Sequence, residues 1–185
     1  MSFDLEASLR RIKPQRKDVS ITCRSNETLP WVGSPGPGAE LLLDTCVYLD
    51  VLKGKTPSAV DDLLRMRIVN HSAIALGELT HLFGRLDPGH TDTRKTLRII
   101  SGVIDDIPAH RLTAPTARAY GEAGMLAGLV ARLGGRPAGV DLLNDALLHL
   151  HARELGCELL TGNVSDFDLF DQVLTGSNLL FYRKS

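Results

Sequence analysis

The first wholly apolar run in the chain is Leu41-Leu42-Leu43, ended by Asp44-Thr45. A run without alternation predicts a short strand buried on both faces, as in a parallel sheet. Helical spacing follows it. Cys46–Leu52 reads as a short helix, and so does Pro57–Met66, with Pro57 near its first turn and Val60, Leu63 and Leu64 on one side. Ile68-Val69 is a second strand, after which Ser72 suits the N-cap of a helix through Phe83, closed by Gly84. Thr91–Ile104 repeats apolar residues at helical spacing, His110–Leu112 reads as a strand, and Pro115–Leu133 is an alanine-rich helix stopped by Gly134-Gly135. Asp141 is placed to cap a helix through Leu155, ended by Gly156, and strands are expected at Glu158–Thr161 and Leu179–Tyr182.

Short apolar strands separated by helices predict an α/β domain of three layers around a mainly parallel sheet. The 185 residues suit one domain with an appendage, and 43% apolar content supplies its core. The boundary falls near Gly33-Ser-Pro-Gly-Pro-Gly38, which cannot continue a helix or strand. Residues 1–40 therefore read as an N-terminal extension and linker, with a possible short helix over Phe3–Ile12, and residues 41–185 as the domain proper. The extension holds six basic and five acidic residues, the body 15 and 17. With a net charge of −1 the chain has no global positive field, which excludes a non-specific nucleic-acid binder held by charge alone. No apolar stretch approaches the ~20 residues of a membrane span, and Asp4 and Glu6 stand where a signal peptide would be apolar. The expectation is a cytoplasmic protein without a membrane partner. Cys23, Cys46 and Cys157 are odd in number and lack metal-type spacing, which fits reduced thiols.

In parallel α/β sheets polar chemistry collects at the carboxyl edge, where strands end and helices begin. Asp44 lies there, either as a helix cap or as a functional carboxylate. Glu78 has Ile74, Ala75, His81 and Leu82 as its helical neighbours, so it sits within an apolar face where a lone carboxylate is costly. Asp145 is one turn into its helix, with Asp141 the expected cap, and Asp166 follows the Glu158–Thr161 strand in a segment that otherwise reads as a polar loop. If the four converge, their repulsion calls for a divalent cation, and hard oxygen ligands without Cys or paired His select Mg²⁺ or Mn²⁺. Such a site suits phosphoryl chemistry.

At these residues the chain resembles the PIN-domain nucleases, particularly the VapC-type ribonuclease toxins. Leu41-Leu-Leu-Asp44-Thr45-Cys46-Val47 is similar to the family's opening strand and Asp-Thr-Asn signature, with Cys46 in place of Asn. Ser72-Ala-Ile-Ala-Leu-Gly-Glu78-Leu79 with Gly84 resembles the second block, Asp145-Ala-Leu-Leu before Gly156 the third, and Thr161-Gly-Asn163-Val-Ser-Asp166-Phe167 the closing one, with Gly162 where a basic residue is usual. The resemblance spans about residues 41–170. It implies a three-layer α/β/α PIN-like fold and a Mg²⁺- or Mn²⁺-dependent endoribonuclease acting as the toxin of a toxin–antitoxin module. It further implies catalytic and metal-binding roles for Asp44, Glu78 and Asp145, with Asp166 or Asn163 completing the set and Thr45, Thr161 and Asn163 in support. The partners it implies are an RNA substrate, a small antitoxin and a second copy of the chain, paired through the early helices. The alternatives are a catalytically silent PIN-like module that binds RNA or protein, and a DNA-directed or housekeeping RNA-processing nuclease.

Other residues read more plainly. His149 and His151 are two apart on a helix and face different ways, so they suit the core better than a zinc pair. Trp31 is a packing anchor for the extension, and Arg94, Lys95 and Arg98 form a solvated helix face, with an RNA backbone track as the sharper reading.

Overall fold

The structure, a computed structural model, describes residues 3–16, 20–33, 36–176 and 178–185. Ser34 and Pro35 of the proposed linker lie outside the described residues. The elements run α1 (Leu5–Ile12), β1 (Leu41–Leu43), α2 (Thr45–Leu52), α3 (Ser58–Met66), β2 (Val69–Ser72), α4 (Ala73–Arg85), α5 (Thr93–Asp105), β3 (Leu112–Thr113), α6 (Ala117–Gly134), α7 (Val140–Leu155), β4 (Glu158–Thr161), α8 (Val164–Val173) and β5 (Leu179–Phe181).

The five strands form one sheet in the order β3-β2-β1-β4-β5, every neighbouring pair parallel. Parallel neighbours need crossovers, and helices supply them on both faces. Because successive side chains point to opposite faces, Leu42 and Leu159 pack with α1, α6, α7 and α8, while Leu41, Leu43 and Leu160 pack with residues of α2, α3, α4 and α5. All three leucines of β1 are buried, as a run without alternation requires. The result is the expected three-layer α/β/α arrangement.

Several boundaries differ from the sequence reading, each for a local reason. Gly139, not Asp141, occupies the cap of α7; Asp141 is exposed in the first turn, where the positive end of the helix dipole favours a carboxylate. Gly84 does not stop α4, which runs to Arg85 with the Leu86 N–H donating to the Leu82 carbonyl. β2 extends through Asn70 and His71 because Asn70, though buried, donates to Glu40 and to Cys157 and accepts from Arg111. Residues Ala109–Arg111 form a 3₁₀ turn, so pairing begins at Leu112. The segment read as a polar loop around Asp166 is the helix α8, capped by the Asn163 side chain, with Phe167, Phe170 and Val173 buried.

The extension lies against the body. On α1, Ser8 and Arg11 donate to the buried Glu122 of α6, which Arg118 also meets. Arg24 pairs with the fully buried Asp168 at 2.5 Å and with Asp171 at 2.8 Å, both on α8. Further on, Val32 donates to the Phe181 carbonyl and Phe181 to that of Pro30, so the chain around Trp31 runs parallel to β5. Trp31 packs edge-on against Phe181 with the Arg183 guanidinium 4.4 Å from its ring centre, the anchoring role its sequence context suggested. The three cysteines are free thiols. Among the described residues no helix is long and apolar enough to cross a membrane.

Candidate active site

β1 delivers Asp44 to the carboxyl edge of the sheet, where its backbone N–H still pairs with the Leu160 carbonyl of β4. Asp44 holds the cap position of α2, yet its carboxylate makes no capping bond. It accepts instead from Thr161 Oγ1 at 2.5 Å and from Cys46 Sγ at 3.0 Å, and only 5% of the residue is exposed. Glu78 arrives from the middle of α4. Its two oxygens accept from Thr45 Oγ1 at 2.5 Å and from Asn144 Nδ2 at 2.8 Å. Asp145, on the second turn of α7, accepts from Asn163 Nδ2 at 3.0 Å.

Asp44, Glu78 and Asp145 line one cavity of about 640 Å³, together with Thr45, Asn144 and Asn163. Asp166 is not among the lining residues. One of its oxygens accepts from Asn163 Nδ2 at 3.0 Å, and the other lies 2.7 Å from Arg136, which follows α6. Asn163 thus bridges Asp145 and Asp166, while Thr161 accepts from the Asn163 backbone N–H and donates to Asp44.

The carboxylates hold one another in an unfavourable electrostatic state. Burial pushes the Asp145 carboxyl up to about 8, and Asp44, Asp166, Glu78 and Asp141 add to the effect. Asp44 is raised too, chiefly by burial, although the bonds from Cys46 and Thr161 counter it. Beside it the Cys46 thiol is pushed up to about 12 by burial and by the Asp44 charge, so it remains a neutral donor. Among the described residues none of Asp44, Glu78 and Asp145 forms an ion pair.

As the side chains stand, no three His, Cys, Asp or Glu residues among those described are arranged to hold a metal ion. Asp44, Glu78 and Asp145 are turned onto neutral donors instead, with Asp141 a fourth carboxylate lining the cavity. The donor set nevertheless suits a hard divalent cation: carboxylate oxygens, with the lining thiol of Cys46 kept neutral and no imidazole pair.

Two residues at the site escaped the sequence reading. Asn144 precedes Asp145 and shows no pattern of its own; Arg136 sits beyond the glycines that end α6, and its pairing with Asp166 is purely tertiary. His149 and His151 do not join the site. His149 packs against Phe167 and Phe170, and His151 hydrogen bonds to Ser72 and Thr113.

The sequence matches no protein-family model and no curated protein sequence. In structure the chain is similar to VapBC2 from Rickettsia felis, solved bound to a promoter DNA fragment, at 18% identity over 77% of this chain and 98% of that one, with a TM-score of 0.53. FitAcB from Neisseria gonorrhoeae is similar at 21% identity over 77% and 96%, TM-score 0.53. VapBC-1 from nontypeable Haemophilus influenzae is similar at 22% identity over 76% and 96%, TM-score 0.51. At these identities the likeness establishes architecture: the chain has the PIN-like three-layer α/β/α fold of the VapC neighbours.

Proposed function

We propose that this chain is a Mg²⁺- or Mn²⁺-dependent endoribonuclease, the toxin of a toxin–antitoxin module acting in the cytoplasm. The observation that carries the reading is that Asp44, Glu78 and Asp145, from three separated segments, line one cavity at the carboxyl edge without a cationic side chain paired to any of them. Burying like charges in this way is unfavourable for folding and is characteristic of functional sites. Asp44, Glu78 and Asp145 would hold the cation, while Asn163, whose oxygen accepts at the start of α8, supports Asp145 through its amide N–H. When bound, a hard divalent cation supplies activation of water for attack on phosphorus and stabilisation of the leaving oxygen. Thr161 and Cys46 orient Asp44, Thr45 and Asn144 orient Glu78, and Asn163 orients Asp145. Asp166, paired to Arg136, fixes Asn163.

The partner proposed to silence the chain is a small antitoxin that fills the acidic cavity with a basic side chain. The chain is also proposed to pair with a second copy through its early helices. The test uses the full chain and RNA: cleavage is expected with Mg²⁺, and it should vanish with EDTA or in Asp44→Asn. Cleavage that survives either treatment overturns the mechanism. A second reading, a catalytically silent RNA- or protein-binding module, draws on the present orientation of the carboxylates onto neutral donors. It predicts no cleavage at any Mg²⁺ concentration and no thermal stabilisation by the ion.

A further inference from the structure

Asp44 is also the end of a chain of polar contacts that starts outside the cavity lining, at Tyr182, the residue after β5. Tyr182 is 3% exposed. Its hydroxyl donates to Asp50 Oδ2 at 2.7 Å, and the other oxygen of Asp50, on α2, lies 3.0 Å from the Lys184 ammonium. With its proton committed to that carboxylate, the hydroxyl presents only oxygen lone pairs to Cys46 Sγ, 3.7 Å away. The sulfur also accepts from the Gly162 backbone N–H at 3.3 Å and has Thr161 Oγ1 at 3.8 Å and Asp44 Oδ2 at 3.0 Å. A thiol has one proton to give, and of these oxygens the Asp44 carboxylate is the nearest and the strongest acceptor. The Tyr182 ring lies close over the same turn. Its backbone N–H donates to the Thr161 carbonyl, and a Cβ at position 162 would come within 3.2 Å of the ring carbon Cζ, so glycine there admits the ring.

We infer that Tyr182, locked by Asp50 and Lys184, is a positioning residue for Asp44: it confines the Cys46 sulfur so that the thiol proton stays on the Asp44 carboxylate. This role rests on the nuclease reading of the cavity, but the contact itself is measurable without metal or RNA. Thr161 and Cys46 both hold Oδ2 of Asp44. Together they fix the plane of the carboxylate and so which oxygen faces the cavity. Without the Tyr182 hydroxyl the sulfur loses one wall and turns from Asp44, whose carboxylate then swings more freely about the Thr161 bond. Tyr182 touches neither the lining nor anything bound there, so its loss acts on the orientation of Asp44 and not on RNA affinity.

The infrared S–H stretching band of Cys46 reads this contact in the metal-free full chain, where it is identified as the band lost in Cys46→Ala. Tyr182→Phe, which keeps the ring, should move that band to higher frequency, as a weaker hydrogen bond requires, and leave the bands of Cys23 and Cys157 in place. In the RNA cleavage assay the same substitution should lower kcat about threefold with KM unchanged, and in a Cys46→Ala background it should change neither. Phe181→Leu, a core change at the neighbouring residue, should lower the melting temperature while the Cys46 band stays where it is. The positioning role is overturned if the Cys46 band is unmoved in Tyr182→Phe, if Phe181→Leu moves it as far, or if Tyr182→Phe lowers cleavage as much without the thiol as with it. Cleavage that survives Asp44→Asn counts against the nuclease reading alone, since the infrared band is read without RNA or metal.

Discussion

Buried and half-buried carboxylates occur in two settings in this molecule, and the difference between them separates acids that tie segments together from acids that line the cavity. Glu122, Asp168 and Asp50 are as buried as Asp44, but each meets a cation: Arg11 and Arg118 at Glu122, Arg24 at Asp168, and Lys184 at 3.0 Å from Asp50. Asp44, Glu78 and Asp145 meet hydroxyls, a thiol and amides. A charge satisfied internally ties distant segments together, since the pairs at Glu122 and Asp168 join the extension to α6 and α8. A charge held only by neutral dipoles remains available to an external cation, and the fold tolerates it at a cost in stability.

The strongest way to break this contrast is to neutralise one member of each set. Asp44→Asn should abolish Mg²⁺-dependent RNA cleavage, while the melting temperature of the metal-free protein holds or rises. Arg24→Ala should do the reverse in kind. It leaves Asp168 buried without its cation, and a loss of about 2 kcal/mol is expected by urea unfolding, at the low end for a buried pair because 35% of the Arg24 side chain is in water. Combining Arg24→Met with Asp168→Leu should recover most of that loss; if the double variant is as unstable as the single, the charge pairing is not what Arg24 contributes.

A change of pH also distinguishes the two settings. Asp145 moves from 3.8 to about 8 on folding, so the folded state binds this proton more tightly than the unfolded one. Its contribution is fully present below pH 3.8 and is lost as pH rises toward 8, by at most about 1.4 kcal/mol per pH unit. His149 acts oppositely at the acid end. Its pKa is pushed down to about 3 by burial, so the unfolded chain takes up the proton first and stability falls as pH drops from 6.5 toward that value. The difference between wild-type and Asp145→Asn unfolding profiles isolates the first effect, and in saturating Mg²⁺ its trend with pH should reverse, because the ion binds the ionised carboxylate. Least of all, Cys46→Ala should lower cleavage about tenfold by removing one donor to Asp44, with Cys46→Asn closer to wild type because an amide can still donate.

Much of this arrangement was legible in the sequence because local chemistry marks it. Leu41–Leu43 suits a strand buried on both sides, and Glu78 stands out as a carboxylate on an apolar helical face. Where tertiary partners decide, the pattern was silent. Asn70 looks wrong for a strand interior until Glu40 and Arg111 are brought to it. Asp141 fits a cap as well as Gly139 does, since both precede the same leucines. α8 was missed although Asn163, Phe167, Phe170 and Val173 carry a cap and a helical spacing, because the acids between them read as a loop. Asp166 is held outside the cavity lining beside Arg136, thirty residues away in the chain, a pairing that no spacing announces.

The pairing of the segment around Trp31 with β5 bears on how copies of this chain can meet. A parallel sheet ends in strands whose free backbone groups invite a further strand, the usual route to runaway assembly. Here the border beside β5 is already occupied by the chain's own Pro30–Val32, and the opposite border, β3, is only two residues long. Among the described residues neither margin offers a further strand a template of useful length. Removing residues 1–40 would uncover the β5 margin and turn a bounded particle into one prone to stacking, visible as concentration-dependent light scattering.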